Sequence, residues 1–236
     1  MQATDPAPGG GGHTGLEQSV IECAPGDSIS RATGEAEEVL FVLTGAGDLM
    51  LGDDRHAIAP EAGAYLAPGE EYELQNRSSQ SMRVVSVRIT DPVPADAAAD
   101  GAGRRAVVRR LADQEAHDAT TARWFRIVAD PTTGLRSATH FVGYIPTARA
   151  PEHFHIYDEV IYVIEGEGML HTGGDRRAIA AGSCLELPAR TVHCLENTGD
   201  RVMRIVAVFR PAGSPAAAYR PDGTSAYPGT PPVAPA

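Results

Sequence analysis

His153, His155 and Glu159 stand at intervals of two and four. On extended chain, even intervals place side chains on one face. Two imidazoles and a carboxylate can therefore converge on one interior point, which suits a divalent first-row metal ion. His193 follows the strand-like run Cys184-Leu-Glu-Leu and a turn at Pro188, and is the natural fourth ligand. Three imidazoles and one carboxylate leave one or two positions open on a six-coordinate ion, as catalytic rather than structural metal sites do. Without an ion, so many polar groups aimed inward would be expensive to bury. The expected cofactor is one divalent transition metal per chain. An N/O donor set accepts Fe, Mn, Ni, Zn or Cu and does not choose between them.

The elements that must hold these residues occur twice, at a constant offset of 121 residues. Glu38-Val39 answers to Glu159-Val160, Gly45 and Gly47 to Gly166 and Gly168, Asp54-Arg55 to Asp175-Arg176, Asn76 to Asn197, and Met82-Arg83 to Met203-Arg204. A fixed period without gaps implies two copies of one structural unit. The runs after Glu38 and Glu159 are β-branched and aromatic and stop at glycine, which predicts strands. Gly52-Asp-Asp-Arg and Gly173-Gly-Asp-Arg predict hairpin turns between strands. Many short strands with regularly spaced turns predict an all-β sandwich or barrel for each unit. Ala106 to Ala116 is the candidate for a short helix. In the first copy the three histidine positions are occupied by Ala32, Gly34 and Tyr72, so Glu38 stands without partners for a metal.

At these residues the second unit resembles a cupin, a small β-barrel family whose first motif is G(x)5HxH(x)3–4E(x)6G. His153, His155, Glu159 and Gly166 match it, with Thr147 replacing the leading glycine. The second motif, G(x)5PxG(x)2H(x)3N, is met by Gly182, Pro188, His193 and Asn197, with Arg190 at the internal glycine. The resemblance implies metal ligation by His153, His155, Glu159 and His193. It implies for the whole chain an all-β fold of two tandem cupin-type jelly-roll barrels, a bicupin with a degenerate N-terminal and a metal-binding C-terminal barrel. The expected division is 14–90 for the first barrel, 91–103 for a linker, 104–215 for the second barrel and 216–236 for an extended, surface-draped tail. The degenerate barrel is expected to act as a built-in dimer partner for the other, since single-barrel cupins commonly pair.

Composition narrows the functions. The net charge of −11 disfavours nucleic acid and anionic membranes as partners. The absence of lysine excludes Schiff-base, pyridoxal-phosphate and Walker-type lysine chemistry. No apolar run approaches the ~18 residues of a membrane span, and residues 1–12 lack the pattern of a secretory signal. A cytoplasmic monomer or homodimer is expected, with a small-molecule substrate. Cys184 and Cys194 are expected as buried small hydrophobes. Candidate catalytic groups around the ion are Tyr157, Arg190, His140 and His171, with Tyr144 and Arg149 as further polar candidates. A dioxygenase-type oxidation is the first reading. The alternatives are a non-redox isomerase, lyase or hydrolase resembling ureidoglycine aminohydrolase, and a small-ligand-binding bicupin without turnover.

Overall fold

The computed structural model describes residues 14–94, 105–119, 122–227 and 230. The expectations for residues 1–12 and for most of the linker lie outside the described residues. The first unit contains β1 (Leu16–Cys23), β2 (Ser28–Ala32), β3 (Glu37–Thr44), β4 (Gly47–Leu51), β5 (Asp54–Ile58), β6 (Ala62–Leu66), β7 (Glu71–Asn76) and β8 (Met82–Ile89). The second contains β9 (Val108–Arg110), β10 (Ala116–Asp118), β11 (Trp124–Ala129), β12 (Thr139–Ile145), β13 (Asp158–Glu165), β14 (Glu167–Thr172), β15 (Asp175–Ala180), β16 (Cys184–Leu187), β17 (His193–Asn197) and β18 (Met203–Arg210). Both units are barrels of antiparallel strands. β3 and β13 lie 121 residues apart at both ends, and so do β8 and β18.

Each barrel packs two facing sheets. In the first these are β1-β8-β3-β6-β9 and β2-β7-β4-β5; in the second, β10-β11-β12-β18-β13-β16 and β15-β14-β17. The predicted hairpins are present. Leu51 pairs with Asp54 and Thr172 with Asp175, and the intervening Gly52, Gly173 and Gly174 take positive φ. The candidate helix at Ala106 to Ala116 is instead β9 followed by one 3-10 turn at Leu111–Asp113.

Alternation along the strands sorts side chains into three apolar cores. One fills the first barrel (Leu40, Leu49, Leu74, Met82) and one the second (Phe141, Ile161, Leu170, Leu195). The third lies between the barrels, where Val39, Phe41 and Val87 meet Val128, Val160 and Val208. The outer faces of β3, β8, β12, β13 and β18 are therefore as apolar as the inner ones, because both sides of these strands are buried. Two polar devices fix the pairing. β9 lies beyond the linker yet adds to the first barrel's sheet, its Val108 opposite Ala64. Buried Glu37 accepts the Tyr65 hydroxyl at 2.7 Å and the backbone N–H groups of Arg136 and Ser137 at 3.1 Å each.

The repeated glycines have a steric cause. A Cβ on Gly47 would sit 1.8 Å from the Gln75 carbonyl oxygen, and one on Gly168 would sit 2.0 Å from that of Glu196. Neither carbonyl can yield without breaking strand pairing. Gly168→Ala is expected to destabilise the protein by roughly 2–3 kcal/mol, read as a lowered urea midpoint at unchanged slope. An unchanged midpoint would show that the strands can separate there freely.

Candidate metal centre

His153 and His193 face each other as a hydrogen-bonded antiparallel pair, with N–H to carbonyl distances of 3.0 and 2.8 Å. The first barrel pairs the corresponding segments one residue differently, Ala32 opposite Glu71. Arg149 pairs with Glu196 as Ser28 does with Gln75. The second barrel therefore gains a one-residue bulge between Arg149 and His153, in a stretch containing Pro151, which has no N–H to donate. The bulge brings the two imidazoles to ring centres 4.7 Å apart. His155 completes the group at 5.1 Å from His153 and 5.6 Å from His193. One ring nitrogen from each of the three lies within 4.8 Å of the others. Glu159, on β13, places Oε2 3.9 Å from Nε2 of His193. All four side chains are buried.

Each imidazole is oriented from behind. Nδ1 of His153, His155 and His193 lies 2.9, 2.8 and 2.8 Å from the carbonyl oxygens of Pro151, Ala217 and Thr191. A carbonyl only accepts, so Nδ1 carries the proton and Nε2 presents its lone pair. Burial lowers all three proton affinities, that of His155 to a pKa of about 3 and that of His193 well below its ordinary value. Burial pushes Glu159 the other way, to about 8, and among the described residues its Oε2 has no hydrogen-bond partner.

These residues fit a metal ion. Metal–nitrogen and metal–oxygen bonds near ~2.1 Å put opposite ligand atoms about 4.2 Å apart, close to the spacing within the three imidazoles and to the 3.9 Å between His193 and Glu159. An orphaned buried carboxylate beside three fixed lone pairs is a costly arrangement that a cation relieves.

The other candidates divide. Tyr157 lies at the site, its ring nearly parallel to that of His155 at 6.2 Å and 5.1 Å from Phe209. Burial raises its hydroxyl's proton affinity and its oxygen engages the Ser214 backbone, so it walls the site as a neutral group. Arg190 has φ of 65°, the left-handed conformation that the glycine of the motif would adopt without strain. Its N–H donates to the His155 carbonyl at 2.7 Å and its side chain is exposed.

His140 and His171 are not brought to the site. On β12 Phe141 faces the barrel interior, so His140 points between the barrels, its ring edge-on to Phe41 at 6.1 Å. On β14 Leu170 faces inward, so His171 lies on the outer face, where Nε2 meets Glu196 at 2.7 Å. Tyr144 stacks on Trp124 under Arg204, and Arg149 approaches Glu152 at 3.4 Å. Cys194 is buried as expected, but Cys184 is exposed because Leu185 and Leu187 take the inward phase of β16.

Three contributors have no counterpart among the expected residues. Tyr219 falls within the expected surface-draped tail, yet it is 1 % exposed, stacks on Phe154 at 5.5 Å and pairs with it as a β-bridge. That contact holds Ala217 behind His155. Tyr227 brings its ring 6.5 Å from His153. Arg123 lies close enough for its charge to disfavour protonation of His153 and His193. Backbone carbonyls leave no sequence signal, but Arg123 has one: it precedes β11 in phase with inward-facing Phe125.

With the geometry in place, the class is that of a double β-barrel protein with a buried histidine triad in one barrel. Both repeats match the cupin domain family, Cupin_2, over residues 19–88 and 140–209. The chain belongs to that family and is a bicupin. Its fold is similar to that of a Pseudomonas aeruginosa protein described as glyoxylate-induced, at 21% identity and a TM-score of 0.74, covering 88% of this chain and 78% of that one. It is also similar to a variant of Bacillus subtilis oxalate decarboxylase, at 15% identity and a TM-score of 0.68, covering 84% and 69%. Protein Ylba from E. coli is similar at 10% identity and a TM-score of 0.69, covering 83% and 77%. No curated protein sequence matches the chain. Among the described residues no helix is long and apolar enough to cross a membrane.

Proposed function

We propose that the C-terminal barrel is the active site of a metal-dependent enzyme acting on a small organic molecule, with dioxygenase-type oxidation as its reaction. The observation that carries this reading is the cluster of three buried imidazoles beside Glu159, whose Oε2 lies 3.9 Å from Nε2 of His193 and has no hydrogen-bond partner among the described residues. His153, His155, Glu159 and His193 would hold one divalent transition ion. When bound, such an ion supplies open coordination positions, Lewis acidity and, for Fe or Mn, one-electron redox steps.

The chain's own residues supply the rest. Carbonyls of Pro151, Thr191 and Ala217 fix the tautomer and ring planes of the ligands. Phe141, Phe209, Ile161 and Leu195 make the interior apolar, which excludes water and strengthens local electrostatics. Tyr157 stays protonated beside His155 and can donate a hydrogen bond or be a spectator to the reaction. Among the described residues the first barrel offers no second centre: no histidine stands beside Glu38, whose Oε1 accepts from Tyr72 and Ser86 and whose Oε2, though without a hydrogen bond, has the Arg88 guanidinium 3.6 Å away as its counter-charge.

Fe(II)-loaded protein offered a panel of small hydroxy and oxo acids in an oxygen electrode is expected to consume O2 in proportion to the substrate lost. Turnover that proceeds equally under argon, or with redox-silent Zn(II), would replace oxidation by isomerase, lyase or hydrolase chemistry at the same ion.

A further inference from the structure

Arg123 is a half-buried cation of the second barrel. It sits one residue before β11, in phase with Phe125 and Ile127, which contribute to the barrel's apolar interior. From Phe125 a chain of ring contacts runs inward, through Phe141 at 6.3 Å and Phe209 at 4.9 Å to His155 at a further 4.9 Å. Among the described residues the guanidinium donates one hydrogen bond, Nη2 to the Leu195 carbonyl at 2.6 Å, two residues from His193. Among the described residues no carboxylate lies within salt-bridge distance of it; exposed Arg176, Arg177, Arg190 and Arg201 also lack one, but Arg123 is half-buried and its charge reaches His153 and His193. Burial lowers its pKa, and the only groups opposing that are Cys194 and Tyr227, neither of them a carboxylate. A guanidinium has five N–H donors in a flat fork, and a carbonyl engages one end only. A half-buried cation with spare donors, close enough to His153 and His193 for its charge to act on both, is suited to receive an anion.

We propose that Arg123 is the substrate-recognising residue of the C-terminal site, and that the substrate carries a carboxylate which the guanidinium fork binds while a neighbouring oxygen reaches the ion. The inference rests on the metal-dependent reading above. Charge balance agrees with it. Glu159 offsets only one charge of a divalent ion and Arg123 adds another, so the loaded site is cationic. The chain's net charge of −11 repels anions at a distance, but that repulsion is screened beyond about 8 Å at physiological salt, and inside the barrel the nearer charges decide. Tyr227, whose ring is 6.5 Å from His153, also lies close enough to Arg123 to interact with its charge.

The test uses full-length Mn(II)-loaded protein with formate, acetate, pyruvate and oxalate as probes, and acetamide and pyruvamide as neutral counterparts. Binding is read by calorimetry and by water-proton relaxation of the ion. Wild type is expected to prefer each bound carboxylate over its amide. Arg123→Gln is expected to weaken the tightest carboxylate at least about tenfold and to erase that preference, while Arg123→Lys restores part of it. Metal content is measured on the same samples and is expected to be equal in all three proteins. Equal carboxylate affinity in wild type and Arg123→Gln, including no measurable affinity in either, would overturn the assignment. A wild type that holds no ion would instead overturn the metal reading, and elemental analysis separates the two failures.

Discussion

Glu159→Gln is expected to stabilise the metal-free protein at pH 8 while abolishing its gain in stability from added metal. The folded carboxyl has its pKa raised from 4.5 to about 8 by burial. A raised folded pKa means that folding favours the protonated form. The carboxyl therefore imposes no penalty below the unfolded value near 4.5, and stability is lost as pH rises from there to about 8. The full shift corresponds to something on the order of 4 kcal/mol. Glutamine keeps the shape and never ionises. After chelation, wild type and variant are expected to unfold at similar urea concentrations at pH 5, and wild type at lower urea at pH 8. The three histidines titrate alike in both proteins, so the comparison cancels them. With Mn(II) or Zn(II) present the order reverses, because the ionised carboxylate then has its cation. A wild-type-to-variant difference that stays constant between pH 5 and pH 8 would show that water or a side chain already satisfies the group.

The same substitution at the repeat partner is expected to have the opposite sign. Glu38→Gln should destabilise the protein by about 2–4 kcal/mol at pH 7, with or without metal. Glu38 is fully buried. Its Oε1 accepts the hydroxyls of Ser86 at 2.6 Å and Tyr72 at 2.9 Å, and Arg31 lies 3.5 Å away; Arg88 approaches Oε2 at 3.6 Å. An amide nitrogen cannot accept any of these donors. The loss is tempered because Arg31 and Arg88 are partly exposed and can be hydrated. Tyr72, Ser86 and Arg88 occupy the positions of His193, Ala207 and Phe209, 121 residues on. The first barrel has thus replaced an external cation with internal guanidinium and hydroxyl groups. Urea unfolding of Glu38→Gln decides the point: stability equal to wild type would mean that the network is incidental.

Much of this architecture was legible because it depends on local rules. The repeat, the strands after Glu38 and Glu159 and the glycine hairpins follow from period-two patterning and from turns that only glycine adopts cheaply. The four converging side chains were legible from even spacing and the second motif. What was not legible depends on which face of a strand meets which partner. His140 and His171 are as polar as the ligands, but Phe141 and Leu170 win the inward positions of their strands. The crossing of β9 onto β6 and the seating of Tyr219 against Phe154 join segments 46 and 65 residues apart in register, and no composition signal marks either. The backbone carbonyls behind the three imidazoles belong to Pro151, Thr191 and Ala217, whose side chains give no hint of the role.

Elemental analysis of purified full-length protein beside His193→Ala tests the central claim most directly, with circular dichroism to confirm that both are folded. The account predicts close to one transition-metal ion per wild-type chain and almost none in the variant. Equal metal content in the two folded proteins, or a folded wild type that takes up no ion when Fe(II), Mn(II) or Zn(II) is supplied, would contradict it.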